Sequence, residues 1–261
     1  MDKSITIGIA THKNYKFPKD EIYHPIFVGA DKNGNVNWAE NDNEFEDNIS
    51  ILNPYFCELT AIYHLWKNNN SDYKGLVHYR RHFYNGERFS EFKTGTFDKI
   101  LNEKMIRKFF DTYDAILPKK REYHIETLYS HYDHSHQVKD LDMTRDIIVE
   151  KYPDYACSFD DVMNRTSAHM FNMFIMNKKD FNNYCNWMFD ILFELQNRID
   201  ISEYDVQESR VFGYISELLL DVWLERNPIN YKELPVMFME KQNWLKKGGK
   251  FIINKFKNKK V

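Results

Sequence analysis

Short apolar runs along this chain alternate with amphipathic stretches in which apolar positions recur every three or four residues. Residues 5–10 (Ile-Thr-Ile-Gly-Ile-Ala) have the pattern of a buried strand and end in the polar triplet Thr11-His12-Lys13. Residues 14–48 carry turn signals, among them Phe17-Pro18, His24-Pro25 and Lys32-Asn33-Gly34-Asn35, and are expected to be loop. A helix is predicted over 54–68, with Leu59, Ile62, Tyr63 and Trp66 on one face and Glu58 in its first turns. Residues 74–79 read as a second core strand that runs straight into Arg80-Arg81-His82-Phe83. Residues 85–97 are loop-like, 98–112 helical, and 113–117 a strand stopped by Pro118. A polar, histidine-rich stretch over 119–140 precedes a helix near 141–152. A strongly apolar strand is expected over 169–176, then long helices over 178–197 and 205–225. This alternation of strand and helix predicts an α/β fold with a helical C-terminal part.

The last residues break the pattern. After Leu245 come seven lysines and no acid, interleaved with Phe251, Ile252, Ile253 and Phe256. Charge together with apolar anchors suggests a segment that lies on an anionic membrane surface. The expected organisation is therefore a main domain over 1–243 and a basic amphipathic tail over 244–261.

Composition narrows the function classes. The 261 residues suffice for one large domain or two small ones without staples. Cys57, Cys157 and Cys185 show no CxxC spacing, so neither a disulfide framework nor a zinc ribbon is indicated, and a reducing cytoplasm is expected. No apolar run reaches the ~18–20 residues that span a bilayer. A formal charge of -3 argues against a nucleic-acid partner. With only nine glycines, the chain has no GxGxxG, GxxxxGK[ST] or GxSxG motif. A nucleotide would have to be held without a glycine-rich loop.

Candidate chemistry clusters at a few places. His78-Tyr79-Arg80-Arg81-His82 follows a core strand, where arginine forks match phosphate oxygens. Strand alternation predicts His78 and Arg80 on one face, Tyr79 and Arg81 on the other. Thr11, His12 and Lys13 end the first strand, where open α/β sheets bind ligands. His124, His131, Asp133, His134 and His136, with Asp140 downstream, have the residue types of a metal site but no His-Glu-x-x-His spacing. His169 and Asn172 stand at the entry to an apolar strand and fit either a site or a satisfied core pair. Asp205, Glu208, Arg210 and Glu217 share a predicted helix, with Asp205 and Glu208 on one face and Arg210 and Glu217 two turns apart; a carboxylate here would serve as general base.

Several of these pieces occur in a recognisable order: Ala10-Thr11-His12-Lys13 with Pro18, Asp47-Asn48-Ile49-Ser50, Cys57-Glu58-Leu59-Thr60-Ala61-Ile62-Tyr63, Gly75-Leu76-Val77-His78-Tyr79-Arg80-Arg81, Asn172-Met173-Phe174-Ile175-Met176 and Arg210-Val211-Phe212-Gly213-Tyr214-Ile215-Ser216-Glu217. Together they resemble the capsular and exopolysaccharide biosynthesis glycosyltransferases once catalogued as a domain of unknown function. The resemblance implies a GT-A-like domain with a mixed, mostly parallel central sheet. It also implies transfer of a hexose, galactose or its furanose form, from a UDP-sugar to a saccharide or lipid-linked saccharide acceptor with inversion. By that resemblance Thr11, His12, Lys13, Asn48, Glu58, His78, Tyr79, Arg80 and Arg81 bind the donor. His131, His136, His169, Asn172 and Arg210 meet the acceptor, and Glu217, Asp205 or Glu208 is the base. Arginines stand where many GT-A enzymes place a metal-binding Asp-x-Asp, so a metal-independent route is favoured over one using manganese or magnesium. Location at the inner face of the cell membrane follows. The competing readings are a metal-dependent hydrolase centred on the histidine-rich stretch and a non-catalytic carbohydrate-binding protein.

Overall fold

The computed structural model describes residues 3–86, 88, 93–123 and 125–241. The expected tail over 244–261, and His124, lie outside them. The main sheet contains β1 (Ile5–Thr11), β2 (Tyr23–Phe27), β3 (Glu40–Asn41), β4 (Tyr73–His78), β5 (Arg81–Phe83), β6 (Ala115–Pro118), β9 (Phe174–Asn177), β10 (Tyr231–Leu234) and β11 (Val236–Phe238). A separate ribbon pairs β7 (Arg121–Glu122) with β8 (Ser167–Ala168). The helices are α1 (Ala30–Asn33), α2 (Asn53–Phe56), α3 (Leu59–Asn68), α4 (Glu103–Phe110), α5 (Leu128–Ser135), α6 (Val138–Lys151), α7 (Ala156–Met163), α8 (Lys178–Arg198) and α9 (Val211–Arg226).

The sheet order is β10-β6-β9-β4-β1-β2-β3, with β5 and β11 added beside the end of β4. Pairing is parallel along most of that path, and β9 alone on it runs antiparallel, between β6 and β4. This is the expected mixed α/β architecture. β1 lies between β2 and β4, so the chain crosses over in opposite directions on its two sides. Such a switch point leaves a crevice beyond the strand carboxyl ends. Alternation along β1 divides the core: Ile5, Ile7 and Ile9 pack with Val77, Ile116 and Ile175 on one face of the sheet. Ala10 packs with Ile26, Leu76 and Phe174 under α3, α8 and α9 on the other. At Gly8 a Cβ would stand 2.8 Å from Ile26 and Leu65, so glycine is what lets α3 close on β1.

The structure corrects several sequence expectations. Residues 23–27, expected as loop, form a strand parallel to β1. Pro25 is tolerated there because β3 covers only Ile26 and Phe27. The helix expected over 54–68 is broken into α2 and α3 at Cys57, whose φ is 53°. The histidine-rich stretch contains α5, capped by Thr127 Oγ1, which accepts the Ser130 N–H. The strand expected over 169–176 begins only at Phe174, after a turn in which Phe171 and Asn172 have φ of 80° and 49°. The helix expected over 205–225 starts at Val211, after a single 3-10 turn over Glu208–Arg210. Among the described residues no helix is long and apolar enough to cross a membrane.

Candidate functional site

A cleft of about 770 Å³ opens at the carboxyl ends of β1 and β4. Five stretches distant in sequence supply its main polar groups: Thr11 and His12 at the end of β1, Cys57 and Glu58 between α2 and α3, His78 to Arg81 at the β4–β5 turn, Arg121 on β7, and Gln207, Arg210, Tyr214 and Glu217 around the start of α9. Phe171 and Phe238 supply apolar walls. Two clefts of similar volume lie around Lys16 and Phe97, but no arginine lines either of them.

The β4–β5 turn does not continue the strand alternation. β4 ends at His78, and His78 stands opposite Arg81 across the hairpin. His78 Nε2–H donates to the Phe171 carbonyl at 2.6 Å, which leaves Nδ1 as the acceptor facing Arg81 Nη1 at 3.5 Å. Burial drives the His78 pKa down to about 4, so the ring is neutral at physiological pH. The Arg81 guanidinium lies over the Phe171 ring, with Glu58 and Glu217 offsetting its burial. Arg80 points outward. It covers the Tyr79 ring and pairs with Glu240 at 3.0 Å. His82 turns the other way, into the core between Tyr23 and Phe97, with no hydrogen-bond partner for either ring nitrogen among the described residues.

His12 takes a hydrogen bond from Tyr79 at 3.4 Å. Burial, then the charges of Arg80, Lys13 and Arg210, hold it below the usual imidazole range. Lys13 lies over the Tyr15 and Tyr79 rings, and Thr11 Oγ1 donates to the Lys13 carbonyl, shaping the strand end. On the opposite wall Arg210 Nε donates to Cys57 Sγ at 3.1 Å, and its guanidinium covers Tyr214. Burial pushes the Cys57 thiol up to about 11, so it is protonated at neutral pH and poorly suited to nucleophilic attack. Arg210, Tyr214 and Glu217 recur at helical spacing along one face of α9. Glu217 is pushed up to about 7 by burial and then by the charge of Glu58, against the opposing pull of Arg81. That places it in the range suited to proton transfer near neutral pH.

Other candidates fall elsewhere. Asn48 bonds the carbonyls of Phe45 and Glu46 and accepts the Ser50 N–H; it shapes its own loop and does not line the cleft. Asp205 accepts the N–H groups of Gln207 and Glu208, and Glu208 accepts from Gln137. Neither carboxylate lines the cleft, because the helix that was to display them begins later. His169 is buried between Asp221 and Glu233, each 2.9 Å from a ring nitrogen. Asn172 lies beneath the cleft and donates to Glu58. His131 packs on Tyr123 and faces Glu126; His136 stacks on Tyr214 and so supports the wall from behind. His134 also turns to Glu126, and Asp140 accepts from Tyr204. No group of three His, Cys, Asp or Glu among the described residues is arranged to hold a metal. Arg121, Gln207 and Tyr214 were missed as site residues: Arg121 sits on a two-residue strand, and the others had no motif beyond their neighbours.

Comparison with curated proteins gives no match. Among solved structures, the chain is similar to the apo structure of WbbM, a bifunctional glycosyltransferase, with 31% identity and a TM-score of 0.82. The match covers 91% of this chain and 45% of that one, so this chain spans less than half the length of WbbM. Residues 6–228, which carry every cleft-lining segment except Phe238, match the family described as a domain of unknown function, DUF4422, and this chain belongs to that family.

Proposed function

We propose that this chain is a glycosyltransferase that moves a hexose from a UDP-sugar to a saccharide or lipid-linked saccharide acceptor in surface polysaccharide synthesis. One observation carries the reading: a single cleft at the sheet's switch point sets Arg80, Arg81 and Arg210 against the paired carboxylates Glu58 and Glu217. Similarity to WbbM supports the same class of reaction. Sugar transfer develops negative charge on the departing diphosphate and requires a proton to be taken from the acceptor hydroxyl. Arg80 and Arg81 neutralise the diphosphate, with Arg210 joining them from the α9 side. Exchange of Arg80 from exposed Glu240 to a phosphate costs little, because such surface pairs are weak. Glu217 takes the acceptor proton, consistent with inversion. Arg121 and Tyr214 guide the acceptor on the outer wall, and galactose, in either ring form, is the proposed sugar. The guanidinium groups supply the charge that a divalent metal provides in other enzymes of this type, so turnover is expected to survive EDTA. The tail over 244–261 attaches the enzyme to the anionic inner face of the membrane.

The test is hydrolysis and transfer with a panel of UDP-sugars, with and without EDTA. Turnover of at least one donor is expected, and Arg80→Ala should lower it by about 100-fold with the melting temperature nearly unchanged. Absence of both turnover and a nucleotide-induced thermal shift would refute the reading. Full activity in Arg80→Ala would refute the diphosphate assignment.

A further inference from the structure

Phe171 and Asn172 are consecutive non-glycine residues at positive φ, a backbone that costs of order 1–3 kcal/mol per residue and persists where the surroundings fix it. The turn they form touches four groups of the cleft. The Phe171 carbonyl accepts from His78, its ring carries Arg81, and its backbone N–H faces Glu217. Asn172 Nδ2 donates to Glu58 Oε1 at 2.9 Å and to the Gly213 carbonyl at 3.1 Å. Asn172 Oδ1 accepts from Ser216 Oγ at 3.0 Å, so the amide is orientated with its N–H side toward Glu58.

The two carboxylates therefore differ in environment. A carboxylate fixed nearby disfavours ionisation of a second carboxyl. Glu217 is faced by Glu58 from the α2–α3 junction, Arg81 from β5 and Arg121 from β7. Cys57, Tyr123 and Tyr214 are the remaining titratable groups that couple to it. We propose that Asn172 is a positioning residue for this pair: its amide holds Glu58 beside Glu217 and thereby makes Glu217 the carboxyl that takes up the proton. The proposal rests on reading the cleft as a transferase centre, and it gives Asn172, expected to touch the acceptor, a different task.

Carboxyl-labelled ¹³C-glutamate NMR on the full chain tests it without any substrate, with Glu58→Gln and Glu217→Gln assigning the two signals. In the wild type Glu217 should show a protonation step in the neutral range. Asn172→Gly keeps the left-handed backbone but removes the amide; Glu58 is then no longer held beside Glu217, and the midpoint of the Glu217 step should fall. Asn172→Asp replaces the donor by an acid and should raise the midpoint of the step. An unchanged Glu217 titration in folded Asn172→Gly, verified by near-UV circular dichroism, would overturn the proposal. With an accepted donor, Asn172→Gly should lower kcat at least about tenfold and displace its pH profile, with donor KM little changed. If the wild type turns over no nucleotide sugar, the transferase reading fails while the titrations still decide the role of Asn172.

Discussion

In the proposed mechanism Glu217 carries both the proton transfer and a cost in stability. Its carboxyl binds a proton up to about pH 7 in the folded chain, against 4.5 as its ordinary value. Between those values the folded state holds more protons than the unfolded one, so stability falls as pH rises through that window. Glu217→Gln removes the cost. Its melting temperature should exceed that of the wild type at pH 8 and by much less at pH 5, with a stability gain at pH 8 on the order of 2 kcal/mol. Turnover should fall by roughly 10²–10⁴-fold in the same protein. A gain over the wild type no larger at pH 8 than at pH 5 would show that Glu217 is not held protonated. Cys57 carries a cost of a different kind: its φ of 53° ends α2 and swings Glu58 toward the cleft.

At the scale of elements, β4 joins the core to the site. Its carboxyl end presents His78, while its second residue, Lys74, is fully buried. The Lys74 ammonium donates to Asn182 Oδ1 at 2.9 Å and the Asn69 carbonyl at 3.1 Å, and it lies 4.7 Å from the centre of the Phe181 ring. It thus ties β4 to α8 and to the end of α3. Burial lowers its pKa from 10.5 to about 8. Between these values the unfolded chain binds more protons, so this lysine makes stability rise with pH over that window. Urea denaturation should therefore show the wild type gaining on Lys74→Met by about 2 kcal/mol between pH 8 and pH 10.5. A difference that stays constant with pH would mean that Lys74 is not held in a dry site.

At the scale of the whole molecule, the site is where the two crossovers diverge from β1 and where β11 returns to cover the edge. The Met239 N–H donates to the Arg80 carbonyl, so the chain leaves the described structure beside the cleft mouth. A tail anchored to a membrane from this point would bring the cleft close to a lipid-linked acceptor. Deleting residues 245–261 should abolish co-sedimentation with anionic vesicles while leaving UDP binding intact. Equal sedimentation with and without these residues would sink the membrane assignment.

Local periodicity was enough to find β1, β4 and α8, because a buried strand or an amphipathic helix writes its exposure pattern directly into consecutive residues. Ordered short motifs were enough to indicate the family. The His78–Arg81 cluster was visible because polar residues after a core strand are conspicuous, although their directions were misread where the chain turned. β2 was hidden by Pro25, and the break at Cys57 left no periodic trace, since it is held by the Asn53 side chain and by Arg210 from far along the chain. The roles of Glu58, Glu217 and Asn172 depend on contacts between positions more than 40 residues apart. Sequence by itself determined which segments are buried and which carry charge. Only the tertiary structure decided which of those charges meet, because proton affinity depends on burial and on neighbours that the topology brings together.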